Sequence, residues 1–340
     1  MRYIGNKTRL LPFILRVVRQ IEGGIESGSV HDAFAGTASV GRALKSYGWC
    51  VHSSDILASS YVFQRAYVVA DSVDTRLEEM ARELSALPSR ESFISEHFSP
   101  AGGRMYFTSE NAGRIDAARE QLERWRAQKE LDEDTYYVLL AGLIEGADRV
   151  ANTAGVYASY MKRWQANARR RFRIEPDPPV GGRHRATAHL MDATSAASLL
   201  GELDLIYIDP PYNSRQYVAY YHIPEILARG WSSSAPPVRG KVGLLAGKEG
   251  RSEWAYGRRV QKLFSSLLAA SRARYALISF NSEGHLAPGA MQLLLKKAAV
   301  DGKVAHFSQR YRRYRADSDH EGRHYHRHIA LEHLYLVKLR

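Results

Sequence analysis

Residues 29–55 read SVHDAFAGTASVGRALKSYGWCVHSSD. Val30 to Phe34 is a short apolar strand, Ala35-Gly36-Thr37-Ala38 a turn of small residues, and Val40 to Tyr47 a helix stopped by Gly48; Trp49 and Cys50 then begin a second strand that runs through Val51 and His52 to Asp55. Strand, helix and strand in that order are the unit from which parallel α/β sheets are built. The same pattern returns after residue 186, where His189 to Asp192 closes a strand, Ala193 to Leu200 is a helix, and Leu203-Asp204-Leu205-Ile206-Tyr207-Ile208 is a buried strand leading to Asp209-Pro210-Pro211-Tyr212. Tyr275 to Phe280 is a further strand that stops at Asn281, and the apolar runs Val304 to His306 and Ile329 to Val337 supply closing strands. The intervening residues differ in kind. Helical spacing dominates 72–150, as in Leu77, Met80, Ala81 and Leu84 or Tyr136, Leu139, Leu140 and Leu143, with a break at Ser99 to Gly103. Residues 151–185 are rich in Gly, Asn and Arg and end in Pro176, Pro178, Pro179, Gly181 and Gly182. The expected organisation is one α/β domain made of 1–70 and 186–340, split by a mainly helical and loop insertion over 71–185, with Trp231 to Gly250 as a second surface loop.

The chain has 340 residues, 45% of them hydrophobic and 25% charged, enough to bury a sizeable core. No run approaches the ~20 apolar residues of a membrane span, and Arg2, Lys7 and Arg9 stand among polar groups instead of preceding an apolar leader segment. The single cysteine, Cys50, makes no internal disulfide and no thiolate cluster, so zinc fingers are excluded and a reducing cytoplasm is expected. Lys and Arg number 48 against 36 Asp and Glu, a formal net charge of +12 that favours a polyanionic partner. The excess is clustered. Lys162, Arg163, Arg169, Arg170, Arg171 and Arg173 crowd one stretch with Trp164, and Arg310-Tyr311-Arg312-Arg313-Tyr314-Arg315 form another, in patterns suited to holding phosphates while aromatic rings stack on bases.

Asp209-Pro210-Pro211-Tyr212 follows an apolar strand directly, at the carboxyl edge where open α/β sheets bind ligands. A carboxylate and a carbonyl of a rigid Pro-Pro turn accept hydrogen bonds from an exocyclic amine and direct its lone pair at a methyl donor, while an aromatic ring clamps the flat base. The bland alternative is a proline-rich turn with a solvated Asp. Phe34-Ala35-Gly36-Thr37-Ala38 occupies a strand-to-helix turn, and Asp55 stands 19 residues beyond Gly36 at the end of the next strand. A carboxylate placed about 20 residues after a glycine turn is suited to ribose hydroxyls.

Arg2-Tyr3-Ile4-Gly5-Asn6-Lys7 with Leu10, Leu11 and Ile14, then Phe34-Ala35-Gly36-Thr37, then Asp55, then Asp209-Pro210-Pro211-Tyr212, resembles the Dam-like (D12 class) family of S-adenosylmethionine-dependent adenine-N6 DNA methyltransferases. The resemblance covers both ends of the α/β domain and is weak in 72–135. It implies a Rossmann-like class I methyltransferase sheet with a mainly helical inserted recognition region over 71–185, S-adenosyl-L-methionine as cofactor, no metal, double-stranded DNA as substrate, and either a cognate restriction endonuclease as partner or an orphan relative without one. Carried over by position, it implies that Tyr3 and Lys7 border the methionine end of the cofactor, that Phe34, Ala35 and Gly36 form its floor, that Asp55 binds its ribose and Asp192 its adenine. Asp209 and the Pro210 carbonyl would hold the target amine, with Pro211 fixing the turn and Tyr212 stacked on the flipped base. Ala38 departs from the glycine usual in that turn.

Outside that frame, Arg149 to Tyr157 resembles the Asn- and Gly-containing segment leading into the family's recognition region, which makes Asn152, Tyr157, Lys162, Arg163 and Trp164 candidates for DNA contact beside Arg169, Arg170, Arg171, Arg215, Arg312, Arg313 and Arg315. Tyr220, Tyr221 and His222 suit either DNA contact or packing. His320, His324, His326, His328 and His333 invite a metal, but Arg323 and Arg327 among them would repel a cation, and a phosphate-facing edge is the expected account. Two rival readings stay open: the same tetrapeptide acting on RNA adenine or on cytosine N4, and a non-catalytic nucleic-acid-binding protein with a degenerate methyltransferase fold.

Overall fold

A computed structural model describes residues 3–21, 27–211, 214–281, 284–312 and 329–340. The chain divides into two compact units, a sheet unit of residues 7–56, 182–216 and 252–340 and a helical unit of 1–6, 57–181 and 217–251.

The sheet unit is built on β1 (Ser29–Asp32), β2 (Cys50–Asp55), β3 (Thr187–Leu190) and β4 (Leu203–Ile208), which pair in parallel in the order β3-β2-β1-β4. A separate two-stranded ribbon, β5 (Val238–Arg239) and β6 (Leu244–Leu245), belongs to the helical unit. The sheet continues from β4 through β7 (Ala273–Asn281) and β9 (Ile329–Lys338) to β8 (Ala305–Arg312), with β9 antiparallel to both neighbours. The chain moves outward from β1 to β2 and β3, then returns to place β4 on the other side of β1. The carboxyl ends of β1 and β4 therefore flank the point where strand order reverses, and at that point an open α/β sheet has a crevice. Parallel strands covered on both faces read as continuous apolar runs, which is why Leu203 to Ile208 is so legible. Ile206, Ile208, Ala276 and Ile278 pack under Val260, Phe264 and Leu267 of the helix Gly257–Ala270, and together these form the sheet unit's core.

In the helical unit, the helices Ser109–Ala127 and Glu133–Val150 pack on each other and on shorter helices, burying Ile115, Leu122, Leu139, Leu140, Leu143 and Ile144. Residues 57–70, which the sequence reading keeps with the sheet, pack here instead: the helix Ala58–Gln64 runs on as a π-helical turn, Arg65–Val69, against Glu133–Val150, and the Tyr67 hydroxyl donates to Glu145 at 2.9 Å. Residues 217–251 do the same. The apolar spacing of Val62, Phe63 and Ala66 fits a helix, but nothing local states which helix it will meet.

Among the described residues, no helix is long and apolar enough to cross a membrane.

Candidate active site

At the carboxyl end of β1 the chain turns into the helix Ser39–Ser46 through Gly36 (φ 52°) and Ala38 (φ 60°, ψ 18°), both left-handed. Gly36 takes this conformation freely, whereas Ala38 carries a strain of about 1 kcal/mol. That conformation turns the Gly36 N–H onto Asp55 Oδ2 at 3.0 Å and the Ala35 N–H onto the Ser54 carbonyl at 3.0 Å. The spacing of 19 residues thus closes as a hydrogen bond between neighbouring strand ends. Phe34 lies edge-on to Trp254, ring centres 5.0 Å apart, and Trp254 is edge-on to Phe264, so the ring beside the turn is fixed from below.

At the end of β4, Asp209 keeps a partly accessible carboxylate, Pro210 is buried and Pro211 is half-buried. Tyr212 and Asn213 lie outside the described residues. Asp209 Oδ1 meets the buried Lys7 Nζ at 3.1 Å, and Nζ also meets Glu332 Oε1 at 2.9 Å. Ser279 Oγ donates to the same Glu332 oxygen at 2.6 Å. Burial alone would lower the lysine, but the charges of Asp209 and Glu332 outweigh it and hold the ammonium above the ordinary lysine range. Asp32, the last residue of β1, is buried, and its Oδ2 accepts the Gly41 N–H at 3.1 Å. Burial, followed by the charge of Asp209, pushes its carboxyl up to about 7. The crevice edge therefore presents a carboxylate braced by one ammonium, a proline-fixed turn and a small-residue turn carrying the Asp55 carboxylate at its side, an arrangement able to polarise an amine and seat an adenosyl-type ligand.

The remaining expected residues separate into groups. Asp192 caps the helix Ala193–Leu199, its Oδ1 accepting the N–H groups of Thr194 and Ser195 at 3.0 Å each, and sits just past Leu190, the β3 partner of Asp55. Arg215, in the sheet unit, is exposed. Arg312 ends the edge strand β8, while Arg313, Arg315 and the histidines at 320, 324, 326 and 328 lie outside the described residues. In the helical unit Tyr3 stacks on Tyr221 at 4.4 Å, and the Ile4 N–H donates to the Tyr221 hydroxyl at 2.6 Å.

Asn152 and Tyr157, which the sequence reading puts among DNA contacts, are buried. The Asn152 amide donates to the Met105 and Met161 carbonyls at 3.0 and 2.9 Å and accepts the Gln165 N–H at 3.0 Å, so it pins the loop from inside. Tyr157 accepts the Tyr106 hydroxyl on its carbonyl at 2.7 Å. Tyr221 and His222 are packed, with His222 lowered to about 4 by burial. Lys162, Arg163, Arg169, Arg170 and Arg171 are exposed, and Trp164 is half-buried.

The basic stretch ends in an extended strap. Phe172 and Ile174 turn inward while Arg171, Arg173 and Glu175 turn outward. Asn111 accepts the Phe172 N–H at 2.9 Å and donates to the Arg170 carbonyl at 2.8 Å, and Ser85 Oγ accepts the Ile174 N–H at 2.8 Å. Gly142 and Gly146, one turn apart on the helix Glu133–Val150, make room: a Cβ on Gly146 would lie 2.3 Å from the Arg173 carbonyl oxygen. Arg149, Arg170, Arg171 and Arg173 line an open groove of about 500 Å³ beside it.

Sequence reasoning missed Asp32, Glu332 and Ser279. The available signal for Glu332 was an acidic residue inside a largely apolar strand, Ile329 to Val337; Asp32, beside Ser29 and His31 in β1, carries no such signal.

A family model for the D12 class N6 adenine-specific DNA methyltransferases matches residues 3–233. The type II methyltransferase M.NlaIII of Neisseria lactamica is 34% identical over 341 residues, 99% of each chain. Type II methyltransferase M.CviAII of Paramecium bursaria Chlorella virus 1 is 32% identical over 92% of each chain. Type II methyltransferase M.FokI of Planomicrobium okeanokoites is 32% identical over 97% of this chain, which spans 52% of that relative.

Proposed function

This chain belongs to the D12 class N6 adenine-specific DNA methyltransferase family, and from that premise we propose that it methylates a specific adenine of double-stranded DNA with S-adenosyl-L-methionine as donor, in the cytoplasm and beside a cognate restriction endonuclease. The observation that carries the reading is the position of Asp209 at the carboxyl end of β4, across the strand-order reversal from the turn at Phe34, Ala35 and Gly36. The donor fits that turn because its residues are small and Asp55, fixed there by the Gly36 N–H, sets a carboxylate at the adjoining strand end. Bound there, it supplies an electrophilic methyl carbon. Asp55, held on the turn by the Gly36 N–H, binds the ribose; Asp192 faces the donor's adenine, and Tyr3 and Lys7 belong to its methionine end. Asp209 and the Pro210 carbonyl accept the two N6 hydrogens, which turns the nitrogen lone pair towards the methyl carbon and disperses the positive charge that develops on the amine. Tyr212 stacks on the extruded base. Pro211 keeps the turn from relaxing.

Lys162, Arg163, Trp164, Arg169, Arg170 and Arg171 of the helical unit, with Arg215, Arg312, Arg313 and Arg315, bind the DNA backbone, and residues 71–185 carry target recognition. Each arginine on a phosphate displaces counterions, so Arg169→Ala, Arg170→Ala and Arg171→Ala together should flatten log affinity against log salt by roughly 0.9 for every phosphate no longer neutralised. The main test is incubation of purified enzyme with labelled donor and duplex DNA, followed by mass spectrometry of the digested product. N6-methyladenine is expected. Methyl groups only on cytosine or only on RNA, or donor binding with no transfer at all, would overturn the reading.

A further inference from the structure

Lys7 is a buried ammonium shared by two carboxylates: Asp209 at 3.1 Å and Glu332 at 2.9 Å, with Lys7 and Glu332 side chains only 5% and 1% exposed. Glu332 lies in the middle of β9, opposite Asn281 of β7 and Gln309 of β8, and outside the segment matched by the family model. A charge so deep in a sheet is costly unless it is paired, and its geometry is fixed here by two strands and by the Ser279 hydroxyl at 2.6 Å. A single lysine facing Asp209 alone would form a closed, neutral pair. Its charge would draw on the same carboxylate that must attract an amine becoming positive. With Glu332 on the other side, the three groups sum to one negative charge, and Asp209 keeps its strength as an acceptor while one of its oxygens stays fixed towards Lys7.

We infer that Glu332 is a positioning residue for methyl transfer: through Lys7 it orients the Asp209 carboxylate and keeps its negative charge directed at the target amine. The inference rests on the assignment of Asp209 as the amine's acceptor. Glu332 itself touches no reacting atom. Its effect therefore belongs to the rate of the chemical step and not to the binding of donor or DNA.

Glu332→Gln keeps the shape and the acceptor oxygen while removing the charge. Single-turnover transfer at saturating donor and DNA should fall ~10- to 100-fold, with both dissociation constants within about twofold of wild type. The double variant Lys7→Met, Glu332→Gln restores the single negative charge and should recover part of that loss, an outcome that a purely structural role for Glu332 does not produce, because two buried lesions would then add. Ser279→Ala, a smaller perturbation, should slow transfer in the same direction and leave binding alone. Glu332→Gln with wild-type rate, a double variant slower than Glu332→Gln, or losses confined to binding would overturn the inference. If Asp209→Asn retained wild-type turnover, the reading of Asp209 would fail instead. A dead Asp209→Asn beside a fully active Glu332→Gln would sink only the role of Glu332.

Discussion

In the helical unit the buried charges tie helix termini together, and two of them, Arg119 and Glu225, are also paired with Glu123 and Arg229 one turn along their own helices. Asp116 accepts the N–H groups of Ile94 and Ser95 at the start of the helix Phe93–Phe98, Glu225 accepts those of Ala58 and Ser59 at the start of the helix Ala58–Gln64, and Arg119 donates to the Leu227 carbonyl near the end of the helix His222–Arg229. Each charge meets backbone groups that a helix leaves unpaired, so the pairing holds elements together. In the sheet unit the buried charges meet one another: Lys7 lies between Asp209 and Glu332, and Asp32 feels Asp209 as a like charge. Two carboxylates on one ammonium, with a third buried beside Asp209, do little for stability. The contrast teaches that buried charge reaching the backbone of another helix holds elements together, whereas a buried lysine shared by two carboxylates at a strand-order reversal marks chemistry.

The contrast breaks most visibly if Asp209→Asn leaves turnover intact. We expect a fall of ~10³-fold or more, with melting close to wild type, measured by labelled-methyl transfer and calorimetry. Next in size is Glu225→Ala in the helical unit. It strips two helix N–H groups and Arg229 of their acceptor and should cost ~2–4 kcal/mol of stability by denaturant titration, with turnover per folded molecule unchanged.

Asp32→Asn sharpens the comparison by pH. The carboxyl of Asp32 is raised to about 7 in the folded chain, so between pH 4 and 7 the unfolded chain releases a proton that the folded chain retains. Stability should therefore fall as pH rises through that window and level off above it. Asn keeps an acceptor for the Gly41 N–H but carries no charge, so the variant should lose this slope and gain on the order of 2 kcal/mol at pH 7. A variant less stable than wild type at neutral pH would show that Asp32 is structural after all. The smallest effect is expected for Ala38→Gly. Relief of the left-handed strain should add about 0.5–1 kcal/mol, offset in part by the greater freedom of glycine in the unfolded chain.

Much of the sheet was legible because its signals are local. The strand Leu203 to Ile208 appears residue for residue, and the nearness of Asp55 to the Gly36 turn is legible from spacing because neighbouring parallel strands place consecutive strand ends side by side. Glu332 was not legible: it reaches Lys7 only through the antiparallel insertion of β9 between β7 and β8, a pairing no short window contains. Asn152 misled for the opposite reason. An asparagine in a Gly-rich loop looks solvent-facing, and only the converging carbonyls of Met105 and Met161 bring it inside. The placement of 57–70 was likewise invisible, since an apolar helix face names no partner.

The strap over Gly142 and Gly146 is fastened mainly through its backbone and through Phe172 and Ile174, while the exposed side chains add only long contacts, Arg171 to the Ser85 carbonyl at 3.4 Å and Glu175 to Arg149 at 3.4 Å. Its path and its lettering are thus separable. A lineage could rewrite positions 171, 173 and 175 one at a time without refolding the unit that displays them, which on the proposed DNA-binding role of this stretch would sample new contacts. Close relatives of this enzyme with different target sequences should therefore diverge at 171, 173 and 175 while keeping glycine at 146 and a small residue at 142, because at 146 a single methyl group would meet the Arg173 carbonyl oxygen at 2.3 Å and lift the line off its support.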